Sequence, residues 1–163
     1  PGSGPICVTA ELAPYLPAPT VIKDGGGYRL QYEDERNESL GRLRGFVGQF
    51  GMHVRALSYI LSHGADGLKR VSEDAVLNAN YILSQLKDDY HVPYAGPCMH
   101  ECLLTDKRQK EQGVETIDIA KTLIEYGFHP MTVYFPLVVH GAMLIEPTET
   151  ESKESLDRFI TVM

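Results

Sequence analysis

The sequence is poor in cysteine, in basic charge and in long apolar runs, and each shortage closes off a class of protein. Three cysteines in 163 residues are an odd and small number for a disulfide scaffold, which points to a reducing compartment. Lys and Arg number 15 against 22 Asp and Glu, giving a net charge of −7 and an isoelectric point near 5.3. That balance argues against nucleic acid or an anionic membrane as the main partner. No apolar stretch approaches the roughly 20 residues that span a bilayer. The opening PGSGPICV has neither the charged region nor the apolar core of a secretory signal, so none is expected at this start. What remains, 43% hydrophobic and 23% charged, is ordinary for one globular domain with a core.

Catalytic signatures are also missing. Cys98, His100 and Cys102 in CMHEC would share one face of a strand, but the spacing is not that of a zinc half-site and no second half-site exists, so no metal is expected. The six histidines are scattered and form no HExxH. Gly2-Ser3-Gly4 is neither a Walker loop nor a GxGxxG turn, and there is no GxSxG. The lysines, Lys23, Lys69, Lys87, Lys107, Lys110, Lys121 and Lys153, all lie in polar settings. None is framed by apolar or glycine residues that would lower its pKa for imine chemistry.

What is present is patterning. Prolines 1, 5, 14, 17 and 19 make residues 1–27 a loop-rich lead-in, with at most a helical turn over 7–12. Gly25-Gly26-Gly27 is a turn or hinge, and Tyr28–Tyr32 alternates as a strand does. Ser39 suits the N-cap of a helix over 40–62, striped by Leu40, Leu43, Val47, Phe50, Val54, Leu57 and Leu61. Gly41, Gly45 and Gly48 would then share another face, each costing about 1 kcal/mol against alanine, as if another backbone came close. A later helix start removes that puzzle. His63-Gly64 should end the helix, and a second should run over 65–87 on Leu68, Val71, Ala75, Ile82 and Leu86. Asn78 falls on the same stripe, and a hydrogen-bonded tie to nearby backbone is its expected role. A strand over 99–105 follows, then a helix from Glu115 or Thr116 to Gly127. Short strands over 132–135 and 142–146 come next, and a last helix opens at Ser152. This order predicts an α/β (α+β) fold, a short, mostly antiparallel sheet covered by helices.

Several segments taken together carry more than each alone: PGSGPI, SLGRLRGFVGQFG, VSEDAVLNANYI, GPCMHECLLT, DIAKTLIEYGFHPMTVYFP and MLIEPTETESKESLDRF. In this order they resemble the C-terminal part of the glycine cleavage system P proteins, in particular subunit 2 of the two-subunit bacterial form, the glycine dehydrogenases (decarboxylating). The resemblance covers essentially the whole chain. It implies the small C-terminal domain of an aspartate aminotransferase-like, fold type I enzyme that uses pyridoxal 5'-phosphate. Residues 1–27 would be the lead-out from the active-site loop of a large domain, and 28–163 the small domain with its two long helices. The cofactor lysine would lie upstream of Pro1, leaving a fragment inactive alone and without bound cofactor. The intact enzyme would decarboxylate glycine and pass the aminomethyl group to the lipoyl arm of H protein, whose disulfide is reduced. Implied partners are P protein subunit 1, lipoylated H protein and the other glycine cleavage components, in a homo- or hetero-oligomer with no nucleic acid and no membrane, in the bacterial cytoplasm.

The resemblance also points to residues. Gly2, Ser3 and Gly4 match the loop beside the cofactor. His129, Thr132, Glu146 and Thr148 would border the substrate side of the cleft, although the acids of EPTE equally suit a strand end leading into a helix N-terminus. Arg42 and Arg44 suit a solvated or salt-bridged role better than a substrate role. No arginine occurs between Arg108 and Arg158, whereas related aminotransferases hold the substrate carboxylate with a small-domain arginine. A firm clamp on a carboxylate about to leave would stabilise ground state above transition state. From a different class, a free-standing small α/β assembly or binding module, using the glycine face as its interface, accounts for the same residues.

Overall fold

The structure, a computed structural model, describes residues 3–163. The described chain forms two compact units, 1–62 and 63–163.

The first unit is built on a hairpin. Strand β1 (Thr20–Asp24) pairs antiparallel with β2 (Gly27–Gln31), closing on Asp24 opposite Gly27. Gly25 takes φ +58°, the first-position left-handed residue of a two-residue hairpin turn. The expected strand over 28–32 is therefore present, but the glycines close a hairpin whose first strand, TVIKD, lay inside the expected lead-in. A division at 27/28 would cut this ladder. Arg29 bridges Asp24 and Glu35 at 2.8 and 2.7 Å, and Arg42 pairs with Glu33 at 2.6 Å. Arg42 thus has the salt-bridged role expected of it.

The helix expected to start at residue 40 begins ten residues later. Ser39 Oγ donates to the Leu16 carbonyl at 2.8 Å and accepts from the Gly41 amide at 3.1 Å, so it stabilises a loop. Gly41 and Gly48 have φ of +84° and +130°, values no α-helix contains. The three glycines share no helix face; they are loop residues, and their helix cost does not arise. Helix α1 (Phe50–Leu86) starts after them. His63-Gly64 does mark a break: Gly64 has φ +62° and ψ −175°, and the helix resumes beyond it.

The second unit holds the three-stranded antiparallel sheet, ordered β3 (Cys102–Thr105), β5 (Ala142–Ile145), β4 (Thr132–Val133). Helices α2 (Thr116–Glu125) and α3 (Lys153–Val162) complete it. The core joins one side of the later half of α1 to the sheet and α3: Ile82, Leu86, Cys102, Leu104, Met143 and Leu156 are buried together. The small antiparallel sheet with helices matches the sequence expectation. Strand β3 is shorter than the 99–105 expected, so Cys98 and His100 precede it in a loop and do not share its face with Cys102. Both later helices start where their caps stand. Glu115 N donates to Asp118 at 3.1 Å, and Ser152 Oγ accepts from the Ser155 amide at 3.1 Å. Gly127, at φ +80°, ends α2 as Phe128 N reaches back to the Leu123 carbonyl at 2.9 Å, the left-handed stop that glycine suits.

Candidate functional site

One cleft of about 420 Å³ in the second unit gathers residues from three of the family-like segments. Its floor is the turn after α2 and the start of β4, with Phe128, His129, Met131 and Thr132. One wall is the end of β5, with Leu144, Glu146 and Pro147. The other is the start of α3, with Glu151, Ser155 and Phe159. The local sequence explains each wall. Gly127 turns the chain so that His129-Pro130 leads into the edge strand. Pro147 is buried and ends β5, since a proline cannot donate to a further rung of the ladder. Ser152 then starts α3, and Glu151 just before it accepts from Ser155 Oγ at 2.5 Å, a placement the helix dipole favours. Phe159 meets Phe128 edge to face, ring centroids 5.6 Å apart, and Arg158 lies over the Phe128 ring, 5.2 Å from its centroid.

Of the residues expected on a substrate side, His129, Thr132 and Glu146 all line this cleft. Thr148 does not. Its hydroxyl pairs with Thr150 at 2.8 Å, and its carbonyl accepts from Asn78 Nδ2 at 3.0 Å. Asn78 is half-buried and makes the backbone tie expected of it. Gly2 lies outside the described residues. Ser3 is exposed, and Gly4 is exposed with open space around the position of a side chain. Arg44 is exposed.

The rest of NANY also ties elements together. Asn80 Nδ2 donates to the Cys98 carbonyl at 2.7 Å and its Oδ1 accepts from the Cys98 amide at 3.0 Å, pinning the loop before β3 to α1. Tyr81 donates to Asp157 at 2.5 Å, and Lys153 reaches Asp157 at 2.7 Å while lying over the Tyr81 ring. Lys153 and Tyr81 hold the Asp157 carboxyl below the usual range. Two motifs far apart in sequence, NANY and SLDRF, are thus two sides of one joint holding α3 against α1.

A second tie had no signal in the sequence. Asp106 is buried, and its Oδ2 accepts from the Thr116 amide and hydroxyl, both at 2.9 Å, at the start of α2. Thr116 Oγ1 also lies 2.9 Å from the Gly141 carbonyl. Gly141 has φ +64°, and a side chain there would meet Asp106 Oδ1 at 1.9 Å. Only the approach of three distant segments makes Gly141 obligatory.

Chemically, the cleft has an imidazole, two carboxylates and two hydroxyls among apolar walls, and no lysine or arginine in its lining. Pyridoxal phosphate needs a lysine for its imine and cationic or amide donors for its phosphate. The cleft residues do not fit that group, and no step through it is derived from them. Cys102, fully buried, has its thiol pushed up to about 12 by burial, which makes it a packing residue and not a nucleophile. Among the described residues, no group of three or more His, Cys, Asp or Glu is placed to hold a metal, and no helix is long and apolar enough to cross a membrane.

The fold and cleft define a small α/β domain with a three-stranded antiparallel sheet, helices against it and a cleft of mixed polar and apolar lining. Comparison with known proteins says which. A family model described as "Glycine dehydrogenase, C-terminal domain" matches residues 71–163. The probable glycine dehydrogenase (decarboxylating) subunit 2 of Staphylococcus haemolyticus is 55% identical over 163 residues, covering all of this chain and 33% of the relative. The corresponding protein of Caulobacter vibrioides is 55% identical over 167 residues, covering all of this chain and 32% of the relative. A crystal structure titled as glycine decarboxylase (P-protein) of the glycine cleavage system, in inhibitor-bound form, superposes with a TM-score of 0.71 at 18% identity, over 94% of this chain and 36% of that one. The chain belongs to the glycine dehydrogenase family, and it spans about a third of the length of the curated relatives it matches.

Proposed function

We propose that this chain is the C-terminal part of a glycine-decarboxylating enzyme, the P protein of the glycine cleavage system, and that its cleft forms part of the substrate side of that enzyme's site. The observation that carries this reading is the 55% identity maintained over the full chain to proteins named glycine dehydrogenase (decarboxylating) subunit 2. The whole enzyme would use pyridoxal 5'-phosphate, which supplies an electron sink for decarboxylation when bound. Its lysine and phosphate cradle would belong to the part of the protein outside this chain. H protein, P protein subunit 1 and a bacterial cytoplasmic setting belong to the same reading.

What this chain's own residues contribute is shape and polarity. The Asn78 and Tyr81 ties fix the β5–α3 turn and α3, and so hold Glu146 and Glu151 in the wall. His129 from the turn after α2 and Thr132 from the edge strand line the same cleft. Their roles are to orient a small amine-bearing substrate and to exclude water.

A chimera tests the reading. This chain replaces the matching third of the Staphylococcus haemolyticus relative, and glycine-dependent exchange of labelled bicarbonate is measured with subunit 1 and H protein present. Activity within about 10-fold of the parent is expected, since a domain carrying the same site contacts preserves transition-state binding. A folded chimera with no exchange would overturn the assignment. Within it, His129→Ala, Thr132→Ala and Glu146→Gln should each lower kcat/KM for glycine by on the order of 10–100-fold, whereas unchanged kinetics would remove those residues from the substrate side.

A further inference from the structure

A second cavity, of about 450 Å³, opens at the other end of β5 from the cleft, where β3 ends and β5 begins. Asp106 and Gly141 both line it. Asp106 is 5% exposed, and its carboxylate is used on one side only. Oδ2 takes both donors of Thr116. Oδ1 points towards Gly141 and accepts no hydrogen bond from a described residue. Nor is it sealed in the interior: among the described residues, the fully enclosed side-chain atom without a partner is Gln109 Oε1. Each carboxylate oxygen has about two acceptor sites. Spare acceptor sites this deep cost free energy until a donor reaches them.

The charges around this oxygen select the donor. Lys107, Lys110 and Glu111 share the lining with Asp106. Lys110 also reaches Glu115 at 3.4 Å, whereas Lys107 and Glu111 form no ion pair with a described residue. A purely cationic ligand on Asp106 would meet the lysines. A purely anionic one on Lys107 would meet the two carboxylates. Like charges at such range repel as strongly as opposite charges attract, so neither ligand gains much. A neutral molecule carrying both signs satisfies both. We infer that this cavity is a binding site for a zwitterionic α-amino acid. Its ammonium donates to Asp106 Oδ1, its carboxylate lies on Lys107, and a small aliphatic side chain meets Pro93 and Val139 of the same lining. His91 and His140 also face the cavity and add donors for the carboxylate. The site uses no residue of the cleft at the other end of β5, and it stands whatever reaction the whole enzyme performs.

Titration of the isotope-labelled 163-residue chain with L-valine, followed through its amide NMR shifts, tests this. The amides of Lys107, His140 and Gly141 should shift saturably with a Kd on the order of 1 mM, within reach of so small a ligand. Isobutylamine and isovalerate keep the side chain but only one charge each, and should bind at least about 10-fold more weakly. Lys107→Gln should weaken L-valine by about 2–5-fold, the share of an exposed ion pair. Asp106→Asn keeps an oxygen for Thr116 and puts an amide NH2 where the free oxygen stands. It should weaken L-valine by about 10-fold or more. Lys107 is exposed, so its variant decides the matter even where Asp106→Asn unfolds. Absence of saturation up to about 50 mM L-valine would overturn the site. So would a single-charge analogue binding as tightly, shifts confined to residues 128–132 of the cleft, or binding undiminished by Lys107→Gln. None of these readouts uses glycine turnover, so they fail or succeed independently of the chimera.

Discussion

Replacing Gly141 by alanine exposes how the second unit is knotted. The new methyl would lie 1.9 Å from Asp106 Oδ1 and 2.6 Å from its carboxyl carbon. Neither partner can yield cheaply. The backbone at Gly141 has φ +64°, which costs an alanine roughly 1–2 kcal/mol before any contact is counted. Asp106 is buried and holds two hydrogen bonds from Thr116 through one oxygen. Displacing it forfeits charge-assisted bonds each worth about 1.5–3 kcal/mol. The substitution should therefore cost about 4–8 kcal/mol. Urea unfolding monitored by far-UV circular dichroism reads this directly, and with slopes of about 1–3 kcal/mol/M the midpoint should fall by more than 1 M. The same change in an Asp106→Ala background should cost only the backbone part, about 1–2 kcal/mol, because the colliding atoms are gone. Equal costs in the two backgrounds, or a cost below 1 kcal/mol in the native one, would refute the knot.

Other outcomes follow from the ties and the buried thiol. Asn80→Ala removes both bonds to Cys98 and should destabilise by about 1–3 kcal/mol, with the loop before β3 becoming more susceptible to limited proteolysis than α3. Tyr81→Phe loses the bond to Asp157, which is partly exposed, so a smaller loss of about 0.5–1.5 kcal/mol is expected, seen as a lower urea midpoint. Cys102 has a folded value of about 12 against an ordinary 9.0. A raised folded value means that stability is intact below pH 9 and declines as pH rises towards 12, at up to about 1.4 kcal/mol per pH unit. Denaturation series at pH 8 to 10.5 should show that decline, and Cys102→Ala should lack the thiol's share of it. Iodoacetamide at pH 8 should label exposed Cys7 in the native protein and reach Cys102 only when urea is present, as mass spectrometry of the peptides would show.

Much of the second unit was legible beforehand because its signals are local. Glu115 and Ser152 cap helices within a few residues of themselves, and Gly127 stops one by its own conformational freedom. The stripe Ile82–Leu86 marks a buried face whatever packs on it. The first unit was misread where local signals conflict. An apolar period of three and four runs through residues 40–49, but three glycines in ten residues favour loop over helix, and the glycines prevail. The strand TVIKD was hidden behind prolines, although its β-branched residues and the two-residue glycine turn announced a hairpin.

The candidate site divides along the same line. His129, Thr132 and Glu146 were singled out through the family resemblance, and all three line one cleft. Thr148 stands two residues from Glu146, yet its carbonyl is held by Asn78 and it is turned out of the lining.

The sequence by itself determined where α2 and α3 begin and where α2 stops, which faces are apolar, and which family the chain belongs to, because caps, periodicity and motif order act over a few residues or are compared position by position. Only the tertiary structure decided that NANY and SLDRF form one joint and that Gly141 must lack a side chain. Those properties depend on atoms dozens of residues apart arriving within 3 Å of one another.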